Sequence, residues 1–163
     1  GSEMCIRDRG IGSNLGNRKI NIEKAKFELL QNNIKIIKSS NYYESLSWPN
    51  PKSPKFLNTV IKVNTNLTTL ELLTKCKDIE KILGRKKSPQ NSPRECDIDI
   101  LDYNNLILDK EIVLPHPRMH KRNFVLLPLF ELDKDWKHPI SKLHIKKLIL
   151  LLSNEDIRSI KQI

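Results

Sequence analysis

The chain has 163 residues, 38% hydrophobic and 29% charged, with 29 Lys and Arg against 19 Asp and Glu for a net charge of +10. That length suits one domain with its own core. No apolar run approaches the ~20 residues of a membrane-spanning helix and no secretory segment opens the chain, so no membrane contact and a cytoplasmic location are expected. Taken in order, residues 1–9 ("GSEMCIRDR") stand apart: "GS" resembles a tag scar and "MCIRDR" a translated adapter fragment, so this segment is expected to be a foreign leader. "GIGSN" then ends a first strand. "NIEKAKFELLQNN" places Ile22, Ala25, Phe27, Leu29 and Leu30 at helical spacing, with an Asn pair to stop it. "IKIIKSSNYYES" and "FLNTVIKVNTNL" read as strands, separated by the Pro-rich loop "LSWPNPKSP". "TTLELLTKCKDIEKILG" is the clearest helix, with a Thr cap and Gly84 at its end.

A polar, basic loop, "RKKSPQNSP", leads into the strand "CDIDILDY". Strand, helix, strand, strand, helix, strand is the ferredoxin-like βαββαβ order of an α+β domain with an antiparallel sheet. A proline-bounded loop ("LPHPRMHKR"), a short helix with an internal Pro ("NFVLLPLFEL") and a last amphipathic helix ("SKLHIKKLILLLS") form a C-terminal helical extension. The domain is expected over 10–154, with 155–163 as a frayed tail.

The chemistry concentrates around "SPRECDIDIL". Alternation along a strand turns Asp97 and Asp99 to one face and Cys96, Ile98 and Ile100 to the other. Two adjacent carboxylates repel unless a cation neutralises them, and hard oxygen ligands suit Mg²⁺, which completes its shell with phosphate oxygens and water. A lone DxD is more often a solvent-facing edge strand. Here, however, Arg94 precedes it, Arg85, Lys86 and Lys87 follow Gly84, and "HPRMHKR" adds His116, Arg118, His120, Lys121 and Arg122. Cations gathered around a metal-binding carboxylate pair are what a triphosphate requires. "GSNLG" lacks the Walker and dinucleotide-binding patterns and reads as a tight strand-to-helix turn. The three cysteines, Cys5, Cys76 and Cys96, fit neither a disulfide framework nor a CxxC site and read as reduced structural thiols.

A basic chain favours polyanionic partners, which keeps a ferredoxin-like nucleic-acid-binding module as the rival reading. Such a module would show aromatics on its central strands, where "CDIDILDY" offers aspartates. A DxD nucleotide-sugar transferase is a second rival, for which the chain is short.

The pieces "GIGSNLGNR", "YYESLSW", "FLNTVIKV", "IEKILGR", "SPRECDIDIL", "LPHPRMHKRNFVLLPLFEL" and "HP" resemble, in order and spacing from about Gly10 to Pro139, the 6-hydroxymethyl-7,8-dihydropterin pyrophosphokinase (HPPK) family. The resemblance implies transfer of pyrophosphate from ATP to the pterin's hydroxymethyl oxygen with release of AMP, in folate biosynthesis. It implies that Asp97 and Asp99 hold two Mg²⁺ ions, and that Arg85 and Arg94 contact the phosphates in transfer. Lys87, His116 and Arg122 would bind ATP phosphates, Ile100 the adenine, and Glu80 would support the ATP side. Phe56 and Phe124 would sandwich the pterin, Asn58 would hydrogen-bond it, and Ser45 and Leu46 would offer backbone groups to its edge. ATP and the pterin are the expected partners, with no nucleic acid, and a monomer is expected. In this resemblance the first strand is central, so Arg7, Asp8 and Arg9 fall where buried apolar residues belong.

Overall fold

A computed structural model describes residues 5–47, 51–84 and 95–163, the side chains of residues 5–9 excepted. The first strand, β1 (Cys5–Ser13), is followed by α1 (Arg18–Gln31), β2 (Lys35–Ser39), β3 (Tyr43–Ser45), β4 (Phe56–Thr65), α2 (Thr69–Ile82) and β5 (Asp97–Tyr103). Two-residue strands β6 (Leu108–Asp109) and β7 (Val113–Leu114) form a separate hairpin. A 3-10 turn at Met119–Lys121, then α3 (Asn123–Leu132), α4 (Ile145–Leu150), α5 (Asn154–Ser159) and β8 (Lys161–Gln162) complete the chain.

The helices begin and end where local chemistry directs. Asn17 accepts from Ile20 N at 3.1 Å and opens α1 after the turn in which Gly16 takes φ +69. Thr68 and Glu71 form a reciprocal capping box on α2, and Gly84 lies just past its end at φ +108. The sheet is antiparallel, in the order β5-β1-β4-β3-β8, with β2 also paired to β4.

Alternation divides this sheet into two faces, each with a core. Ile11, Leu57, Ile61, Val63, Ile98 and Ile100 pack against Ile22, Ala25 and Leu29 of α1 and Leu72, Cys76 and Ile79 of α2. On the other face Val60 and Leu101 pack against Met119, α3 residues Val125, Leu126 and Leu129, and α4 residues Ile145 and Leu148. Cys76 and Cys96 are buried, and burial pushes the Cys96 thiol far above its ordinary range.

Phe27 and Leu30 of α1 are exposed at 59% and 57%, because α1 buries only one narrow stripe against the sheet. One expectation changes. Residues 155–163 do not fray: they complete α5 and form β8, which pairs with β3 while Ile160 is buried. β1 begins inside the segment expected to be a leader, with residues 5–9 in register with β4. A backbone with strands on both sides satisfies its N–H and C=O groups whatever the side chains are.

Candidate active site

The register sets out the site in rows across three strands. Gly12 of β1 pairs with Asp97 on β5 and with Asn58 on β4; Gly10 pairs with Asp99 and Val60. Asn58 in turn pairs with Tyr43 of β3, and Phe56 pairs with Ser45. Paired residues share a face, so Asp97, Asp99, Asn58, Phe56 and Ser45 stand on the α3 side of the sheet. Strands lie about 4.8 Å apart, so the Asp97 and Asn58 backbones are separated by about 10 Å. Between them Gly12 has no side chain. A Cβ there would lie 3.1 Å from Asn58 Oδ1 and 3.4 Å from Phe56 Cδ1. Glycine inside a strand often marks a close approach by a ligand or another backbone. The i, i+2 pair "GIG" was the available sequence signal, and reading "GSNLG" only as a turn passed over it.

On the acidic side, Ile98 and Ile100 turn into the α1/α2 core at 5% exposure, while Asp97 and Asp99 stay partly exposed. The Ile100 side chain therefore lies on the opposite face from the aspartates. Glu80, buried at 7%, accepts from Ile98 N at 2.8 Å. It occupies the open edge of β5 between the two aspartates, so α2 fixes the strand that carries them. Arg122 precedes α3 with Nη1 3.8 Å from Asp99 Oδ2, and its guanidinium lies 5.3 Å from the centre of the Phe124 ring. One cation thus touches both the acidic pair and an aromatic face.

Burial, followed by the nearby charges of Arg122 and Arg118, pushes His116 down to about 4. Its Nδ1 accepts from Arg118 N at 3.2 Å, which leaves the proton of the neutral ring on Nε2. In the unliganded fold His116 is thus a neutral donor at pH 7.

On the amide side, Asn58 Nδ2 donates to Ser45 Oγ at 2.8 Å and to Tyr43 O at 3.4 Å, so Oδ1 is the end that lies over Gly12. Ser45 is buried and Leu46 is 41% exposed at the strand end. Phe124 is half-buried on the first turn of α3. The structure thus gathers Asp97, Asp99, Asn58, Phe56, Ser45, Phe124 and Arg122 around one end of the sheet. Glu80 and Ile100 lie behind it. Arg85, Lys87 and Arg94 lie outside the described residues.

The acidic pair fits Mg²⁺. It supplies two hard oxygen donors on one face above side-chain-free Gly10 and Gly12, and among the described residues no cluster of three or more His, Cys, Asp or Glu could hold a metal by itself. An ion that takes one or two carboxylates and draws its other ligands from phosphate and water matches this donor set. Two carboxylates on the sheet face also repel a nucleic-acid backbone, so nothing here favours the nucleic-acid-binding reading. No helix among the described residues is long and apolar enough to cross a membrane.

Residues 9–134 match the family model for 7,8-dihydro-6-hydroxymethylpterin-pyrophosphokinase (HPPK). The chain is 42% identical over 139 residues to the 2-amino-4-hydroxy-6-hydroxymethyldihydropteridine pyrophosphokinase of Aquifex aeolicus, covering 85% of this chain and 86% of that one. It is 36% identical to the protein of the same name from Bacillus subtilis, covering 75% of this chain and 74% of that one. Some relatives are much longer: the folic acid synthesis protein fol1 of Pneumocystis carinii is 38% identical over 92% of this chain, which spans only 20% of that protein. Among solved structures, Plasmodium falciparum HPPK-DHPS with pterin and p-hydroxybenzoate superposes with a TM-score of 0.75 at 16% identity, over 99% of this chain and 47% of that one. At that identity the likeness concerns the fold. With a family match across most of its length and relatives 36% and 42% identical over about three quarters or more of both chains, this chain belongs to the HPPK family.

Proposed function

We propose that the protein transfers the β,γ-pyrophosphoryl unit of ATP to the hydroxymethyl oxygen of 6-hydroxymethyl-7,8-dihydropterin, giving the pterin diphosphate and AMP, a step of folate biosynthesis. The observation that carries the reading is the row Asn58–Gly12–Asp97. It sets an amide suited to a heterocycle rim about 10 Å from a carboxylate suited to a metal–phosphate complex, across a floor without side chains. A hydroxymethyl arm reaching over Gly12 would meet the β-phosphorus there.

In this reading Asn58 Oδ1 accepts from the pterin's N–H groups, while Ser45 and Leu46 offer backbone groups to its edge. Phe56 and Phe124 cover its faces. Asp97 and Asp99 would hold Mg²⁺, two ions in this proposal, and when bound the metal neutralises charge on the triphosphate oxygens. Arg122 spans the two halves and bears on the phosphates. His116 donates from Nε2 without adding charge. Glu80 acts by holding β5. Ile100 would serve through its edge-facing backbone, its side chain being committed to the core. Arg85, Lys87 and Arg94 are assigned to the phosphates on the resemblance alone. The hydroxymethyl oxygen gives up its proton to solvent and forms its bond to the β-phosphorus, the bond from that phosphorus to the α–β bridging oxygen breaks, and AMP leaves. Holding both reactants in line is the main contribution asked of the protein.

The architecture supports a ferredoxin-like assignment: β2 and β3 both pair with β4 and act as one interrupted strand, which gives βαββαβ with α3, α4 and α5 as a C-terminal extension. A cytoplasmic monomer working on these two small molecules completes the proposal. Incubation with ATP, Mg²⁺ and the pterin alcohol should give AMP and pterin diphosphate in equal amounts, with ATP largely intact when the pterin is omitted. ADP as product, or AMP formation independent of the pterin, would overturn the assignment.

A further inference from the structure

β3 is only three residues long, yet it supplies the groups that orient Asn58. A strand this short gains little from its own ladder. Its outer edge is met by β8, with Tyr43 opposite Gln162 and Ile163 N donating to Tyr42 O at 2.9 Å. The side chain that meets its entry and its body is Glu131, from the last turns of α3. Glu131 Oε2 accepts from Asn41 N at 2.9 Å. Its Oε1 accepts from Asn41 Nδ2 at 3.3 Å and from Tyr43 Oη at 2.7 Å. Tyr43 is 8% exposed, and its burial together with this carboxylate pushes its phenol far up, so it remains a donor across the working pH range.

Glu131 lies seven residues after Phe124 on the same helix. Seven residues are two turns, so both side chains leave α3 on nearly the same face, about 10 Å apart along the axis. Three charge-assisted hydrogen bonds at one end of α3 therefore fix the distance between β3 and the aromatic at the other end.

We propose that Glu131 is a positioning residue that ties α3, with its aromatic Phe124, to β3, with its Asn58-orienting groups, and so sets the width of the pterin slot. This rests on the proposed pyrophosphokinase reading and deepens it: Glu131 touches neither substrate, and its effect falls mainly on recognition of the flat heterocycle, with a smaller effect on the triphosphate side through Arg122 at the start of the same helix. The acidic pair is on β5, two strands away from β4, and is held by Glu80 at the open edge of β5.

The test compares wild type with Glu131→Ala, Glu131→Gln and Tyr43→Phe in steady-state kinetics, and reads amide hydrogen exchange at residues 43–45 without substrate. Glu131→Ala should raise the KM for the pterin about tenfold, leave the KM for ATP within about twofold, and speed exchange across β3. Glu131→Gln, which keeps one acceptor oxygen, should recover part of the loss, and Tyr43→Phe should show a smaller rise. Unchanged exchange in a folded Glu131→Ala protein, or equal rises in both KM values, would overturn the clamp. If wild type makes no pterin-dependent AMP, the functional reading fails, and the exchange comparison alone then decides whether Glu131 holds β3.

Discussion

Gly12 and His116 show how much single positions decide. Gly12 lies between the two halves of the site, and an added methyl would crowd Asn58 Oδ1 at 3.1 Å. Its conformation needs no glycine for backbone reasons, so the requirement is for space. Gly12→Ala should raise the KM for the pterin by about tenfold or more with a smaller effect on ATP, read by varying each substrate in turn; an unchanged pterin KM would remove Gly12 from the site. His116 makes a pH prediction. Its ordinary value of 6.5 is lowered to about 4 in the fold by burial and by Arg122 and Arg118. Below about 6.5 the unfolded chain takes a proton that the folded chain refuses until about 4, so stability falls as pH drops through that window. Melting temperature plotted against pH should therefore decline on the acid side, and less steeply in His116→Gln. Some slope should persist in that variant because burial also lowers His138. Identical slopes in the two proteins would mean that His116 is not desolvated as described.

At the scale of elements, β1 carries the sharpest conflict between sequence and fold. It runs between β4 and β5, and the register sets Arg7 opposite Val63 and Arg9 opposite Ile61 and Ile100. Those partners are at most 5% exposed. Charged residues at such register positions are costly unless they reach solvent or a counter-charge. The ladder with β5 shifts register between Asp8 and Arg9, where irregular pairing turns the strand. Replacing Ile6–Arg9 with an apolar β-forming segment should raise the melting temperature by several degrees. An unchanged or lower value would show these charges to be well accommodated. The same scale explains two further outcomes. The α1 periodicity includes Phe27 and Leu30, which are exposed, because a helical pattern records apolar residues without recording how wide a stripe the partner sheet can cover. The C-terminal residues looked like a frayed end because a two-residue strand has no periodicity to detect, and β8 exists only because β3 offers it an edge.

For the whole molecule, two cores lie on opposite faces of one sheet, and the site occupies the part of the α3 face that the helices leave open. Function and stability are therefore separable. Asp97→Ala and Asp99→Ala should each lower turnover by orders of magnitude while changing the melting temperature little, since neither side chain belongs to either core. Near-normal turnover in both variants would remove the acidic pair from the reaction. The main strands β1 to β5, the helices α1 to α3, the shared face of Asp97 and Asp99, the capping of α2 and the family were legible in the order of residues, because each depends on local spacing or on a run of motifs. Four things were decided by tertiary structure alone. The row Asn58–Gly12–Asp97 joins residues from three strands through hydrogen-bond register. His116 is lowered because burial and two arginines meet there. Glu80 works on Ile98 across 18 positions. Glu131 reaches Asn41 and Tyr43 across 90 and 88 positions. A local pattern specifies which face a side chain takes, but desolvation and pairing depend on what the folded chain brings opposite it.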